Sequence, residues 1–166
     1  MNTREELRQE IMETRRRFHQ LLERVPDEAF HLPSTTPEWT IGEVLYHMSL
    51  APRFLTTDIK FIFGQSWFYR LLIRLVPKRL FDSLMVRLTR YGARHLSRQF
   101  LAKEYDKAHA LTLAALDMVA DEDFGKSILY PDWDPQLSGH VTLERLFHYD
   151  TVHFDWHAAQ VEGALE

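Results

Sequence analysis

Three histidines fall within ten positions of the apolar, proline-free run from Leu146 to Gln160, near the end of a 166-residue chain. An α-helix advances about 100° and 1.5 Å per residue, so His153 and His157 stand about 40° apart and one turn apart, and both imidazoles can reach one point. His148 cannot join them, because it points about 140° away from His153 and about 180° from His157. A helical His-x-x-x-His pair can supply two nitrogen ligands to a transition metal, and such a centre needs at least a third ligand from elsewhere. Most pairs at this spacing are surface or packed core residues, so the third ligand decides the matter. The chain has no cysteine, which removes disulfides, thiolate zinc sites and a cysteine nucleophile. Any metal must be held by nitrogen and oxygen.

The elements that must position the pair follow from periodicity. Residues 3–24 carry Leu7, Ile11, Thr14, Phe18, Leu21 and Leu22 at helical spacing, and Val25-Pro26-Asp27 ends that helix. Pro33 through Pro37 form a rigid connection. Thr40 can cap a second helix, with Glu43 completing a capping box and Ile41, Val44, Leu45 and Met48 supplying the apolar face. His47 sits on this helix, one turn after Glu43. The Glu43 carboxylate can orient that imidazole or simply close the cap, and the residues alone leave both readings open. Pro52 is expected to kink this helix or end its first segment.

Residues 65–90 hold more apolar surface than one bundle helix normally buries, with Trp67, Phe68 and Leu71 among it and Arg70 and Arg74 interspersed. That surface can cover the open end of a bundle, pair two copies or, less in keeping with the pattern, lie on a membrane. A long helix is expected from about Ala93 to Ala120, then a loop through Tyr130-Pro131-Asp132-Trp133-Asp134-Pro135 and Ser138-Gly139. Thr142 opens the last helix, which carries the histidine pair. No sustained alternating, β-branched segment is evident, so the chain reads as all-α, a single domain over residues 1–166.

Apolar content of 45% with 27% charged residues fits a globular protein. The charged start and the lack of an apolar run of about 20 residues predict a soluble, cytoplasmic protein. The net charge of −4 combines a balance of +8 over residues 51–100, ten Arg or Lys against Asp58 and Asp82, with −12 elsewhere. A basic segment can meet phosphates, but no nucleic-acid reader motif accompanies it, so no nucleic-acid partner is expected and membrane contact is not expected either. Internal repeats and glycine-rich phosphate loops are absent.

Two motifs carry a resemblance. Trp39-Thr40-Ile41-Gly42-Glu43-Val44-Leu45-Tyr46-His47-Met48 is similar to the Trp-Ser/Thr, acidic residue and His at the start of helix two in the DinB/YfiT-like superfamily. His153-x-x-x-His157-x-x-Gln160 resembles that superfamily's closing motif. The resemblance implies a metal-binding four-helix bundle, up-down-down-up, here with an extra helical segment between helices two and three. Carried over by position, it makes His47, His153 and His157 the ligands of a divalent transition metal such as zinc, nickel or iron. Three neutral imidazoles leave the ion its full charge. The chain departs from the family where Phe154 stands directly after His153 in place of a common Glu. Asp150, one turn before His153, is a weak catalytic candidate, and Gln160, one turn after His157, can support the site.

The better understood branches of the superfamily are metal-dependent transferases and isomerases of low-molecular-weight thiols. The resemblance therefore implies an enzyme acting on an electrophilic small molecule with a thiol cosubstrate, working as a homodimer. A metal-dependent hydrolase using water, and a non-catalytic stress-response protein that binds metal or ligand, are the alternatives.

Overall fold

Leu7, Ile11, Thr14, Phe18, Leu21 and Leu22 are all buried on α1 (Thr3–Arg24) in the computed structural model, which describes residues 3–63, 67, 68, 71, 75–134 and 136–166. The helix ends where Pro26 starts a 3₁₀ turn, Asp27–His31. Arg98 fastens that end, because its guanidinium donates to the carbonyls of Leu22 and Val25 and to the Asp27 carboxylate. Those carbonyls have no partner within the helix.

Thr40 begins α2 (Ile41–His47) with both halves of a capping box. The Thr40 hydroxyl accepts from the Glu43 amide at 3.3 Å, and the Glu43 carboxylate accepts from the Thr40 amide at 2.9 Å. The chain turns at Met48 and Ser49, and α3 (Leu50–Phe63) follows. The interruption thus precedes Pro52 rather than falling on it. Pro52 lies in the first turn of α3, where its missing N–H had no helical acceptor. Ser49 donates instead to the Tyr46 carbonyl at 2.7 Å, which secures the break.

Of the apolar segment 65–90, residues 65, 66, 69, 70 and 72–74 lie outside the described residues. Its later part is α4 (Lys78–Gly92), an additional helix as expected. The helix expected from Ala93 starts later, because Ala93–His95 is a 3₁₀ turn, Leu96 is extended and Ser97 caps α5 (Arg98–Met118) through the Phe100 amide. Thr142 caps α6 (Leu143–Glu162) in the same way, accepting from Arg145.

One expectation is overturned. The turn-rich stretch before α6 is an antiparallel hairpin, β1 (Ser127–Asp134) paired with β2 (Leu137–Thr142), so the fold is mostly helical with one small sheet. Ile128 and Tyr130 alternate inward while Leu129 is exposed. Pro131 falls where the register slips between Tyr130 and Asp134, a place where a missing donor breaks no ladder. Gly139, at φ +75°, occupies a backbone region that side chains disfavour.

Helix α1 runs along two apolar clusters. Leu7 and Ile11 pack with Leu116, Val141, Leu146 and Phe147 at one end; Phe18 and Leu21 pack with Ile41, Leu45, Tyr105 and Phe154 at the other. The second cluster fixes α2 and α6, and with them the histidines. Complete burial of a side chain such as Phe18 contributes about 2–3 kcal/mol to this packing.

Candidate metal centre

His47 is the last residue of α2, and His153 and His157 occupy successive turns of α6. The three rings converge. Their centroids are 5.2 Å apart for His47 and His153, 4.9 Å for His47 and His157, and 4.5 Å for His153 and His157. One nitrogen from each lies within 4.8 Å of the other two. An ion about 2.0–2.1 Å from each nitrogen requires separations no larger than about 4.2 Å, so small side-chain rotations close the set.

Two rings are tethered from behind. The Gln160 amide oxygen accepts from His157 Nδ1 at 2.7 Å, which assigns the proton to that nitrogen and leaves Nε2 as the donor lone pair. His47 Nδ1 meets the Thr89 hydroxyl at 3.1 Å, and Thr89 is fully buried on α4. Trp39 lies against His47, centroids 4.3 Å apart, and reaches toward His157 at 6.1 Å. Its position is set by the loop before α2, where Ser34 donates to the Trp39 carbonyl at 2.8 Å.

Burial sets the charge of these rings. It drives His47 down to about 3, with the neighbouring His157 adding to the effect, and drives His153 well below the usual range together with both other rings. His157 is also lowered by burial, while the Gln160 bond and the Asp134 carboxylate pull the other way. All three are neutral near pH 7, the state in which imidazole donates to a metal. The donor set therefore fits a divalent transition ion: three unprotonated nitrogens, aimed at one point, two of them held by hydrogen bonds.

The triad opens on space. A cavity of about 530 Å³ is lined by His47 and His153 together with Trp39, Phe54, Phe81 and Trp133. A smaller one of about 200 Å³ reaches His153, His157, Gln160 and Asp134.

The remaining residues singled out by sequence sort differently. Glu43 closes the capping box, and among the described residues no hydrogen bond joins it to His47. Asp150 is 3% exposed and lies beside His109 of α5, with Nε2 and Oδ2 4.0 Å apart, in the core rather than in the cavity wall. His148 faces away and meets the Glu10 carboxylate at 2.6 Å.

Sequence reasoning passes over Thr89, Asp134, Tyr149 and His109. Tyr149 was accessible to it: one turn before His153, it lies with its ring 5.5 Å from that imidazole and donates its hydroxyl to Asp134. Thr89 and Asp134 come from distant elements, and nothing local marks them.

A family model described as the DinB superfamily matches residues 10–161. No curated protein matches the chain at a significant level.

Proposed function

The chain belongs to the DinB superfamily, and on that premise we propose that it is a metal-dependent enzyme that activates a low-molecular-weight thiol at His47, His153 and His157 for attack on an electrophilic small molecule. A divalent ion, when bound, lowers the pKa of a thiol or water and so supplies a nucleophile at neutral pH. The observation that carries this reading is that the three imidazoles converge and two of them, His47 and His153, line a cavity of about 530 Å³, large enough for a small organic molecule.

The chain's own residues divide the remaining work. Gln160 and Thr89 hold two imidazoles in place by their Nδ1 atoms. Trp39, Phe54, Phe81 and Trp133 bind the apolar body of a substrate and exclude water from it. Phe81 and Trp133 are stacked, centroids 4.5 Å apart and planes 10° from parallel, which gives that wall a rigid aromatic surface. The finer architectural reading, a single up-down-down-up bundle over residues 1–166, accords with the histidines meeting near one end. No described helix is long and apolar enough to cross a membrane.

Elemental analysis of the untagged protein, followed by turnover of an electrophile with a panel of thiols, tests the proposal. Metal bound by the triad and turnover that requires a thiol are the expected results. Turnover without any thiol would overturn the thiol reading in favour of hydrolysis by water at the same ligands.

A further inference from the structure

Helix α4 has two working faces. Phe81, Met85 and Val86 line the cavity and Thr89 holds His47, so the inner face is committed to the site. On the outer face Leu80 is 59% exposed, Leu84 48%, Leu88 37% and Tyr91 66%. These four fall within an arc of about 80° along roughly three turns, a continuous apolar stripe. Arg79, Arg87 and Arg90 follow along one edge of it, and Arg94 lies over the Tyr91 ring, 4.2 Å from its centroid. Trp67, Phe68 and Leu75, before the helix, are also exposed.

We propose that the outer face of α4 docks on an anionic lipid surface. An apolar stripe with arginines along its edge is the arrangement that lets a helix lie in a bilayer interface, leucines in the acyl boundary and guanidinium groups at the headgroups. Charge chooses between occupants. Two copies meeting antiparallel through this face, about a two-fold axis across the helices, would bring the same arginines together, whereas an anionic surface neutralises them. The only acid on the helix is Asp82, and it is already paired with Lys78 at 3.2 Å. Composition alone does not predict this contact; the outward direction of the leucines does.

The test uses the full-length protein and sedimentation with two sets of vesicles, phosphatidylcholine alone and phosphatidylcholine mixed with phosphatidylglycerol. Binding is expected only to the anionic set and is expected to weaken as salt is raised. Arg79→Gln and Arg87→Gln should each reduce it roughly fivefold, and Leu84→Glu with Leu88→Glu should abolish it. Helix content by circular dichroism guards against misfolded variants. Failure to bind anionic vesicles at low salt would overturn the proposal, as would a wild-type dimer in sedimentation velocity that Leu84→Glu dissociates. Repeating the binding with His47, His153 and His157 all replaced by alanine separates it from the metal chemistry, since vesicle binding should survive.

Discussion

Asp150 and His153 lie three residues apart on α6, yet they enter two buried polar clusters that differ in what they can do. Around His153 the imidazoles converge, two are tethered through Nδ1, and a cavity adjoins them. Around Asp150 the polar atoms are shut in. Among the described residues one Asp150 oxygen lacks a hydrogen-bond partner, and Tyr105 closes over His109 at 4.3 Å between centroids. Burial opposes charge in both clusters: it keeps the triad and His109 neutral, lowering His109 to about 4, and raises Asp150 to about 7. Neutral histidines in a core are therefore not enough for a reactive site. Convergent lone pairs and an open side distinguish the first cluster from the second.

Removing the triad should have the largest effect. Replacing His47, His153 and His157 together with alanine should eliminate bound metal, measured by elemental analysis, while His109→Ala leaves metal content unchanged. Because all three rings are lowered from the ordinary histidine range, metal should stay bound as pH falls through 6.5 and be released only in stronger acid, which a pH series of metal content will show.

The closed cluster predicts a stability effect with a definite sign. Asp150 titrates near 3.8 when unfolded and about 7 when folded, so its contribution is complete below 3.8 and is lost as pH rises through 7. His109 runs the opposite way, complete above 6.5 and lost as pH falls through about 4, so the two slopes oppose each other in between. Asp150→Asn should match wild type in acid and become increasingly more stable as pH rises, by about 2–4 kcal/mol at pH 8. Urea unfolding across pH checks this, and metal content should not change.

Gln160→Leu sharpens the comparison at the open site. Loss of the hydrogen bond behind His157 should weaken metal affinity by roughly 10-fold or more with little change in stability, read by competition with a chelator. Thr40→Ala gives the smallest effect, a loss of about 1 kcal/mol in unfolding free energy from the broken capping box, with metal stoichiometry retained.

These contrasts also mark what the sequence discloses. Helix α1, the Thr40 cap and the pairing of His153 with His157 depend on neighbours within one or two turns, so their spacing exposes them. That His47 joins the pair needed the Trp39–Met48 motif as well, because nothing local says which end of α2 approaches α6. The hairpin escaped because Pro131, Gly139 and the aspartates signal turns as strongly as Ile128, Tyr130 and Val141 signal strands. His109 and Asp150 stayed hidden for a different reason: their burial comes from three helices meeting, α1, α5 and α6, and no single segment records that.

The pause at Met48 and Ser49 gives the second arm of the molecule a joint. His47 rides at the tip of a seven-residue helix that ends there, while α3 beyond the joint contributes Leu50, Phe54 and Leu55 to the cavity wall. Donor and wall are thus carried by separate levers, and residues on the second lever can be exchanged to suit a new guest without dragging the nitrogen out of reach of its two companions.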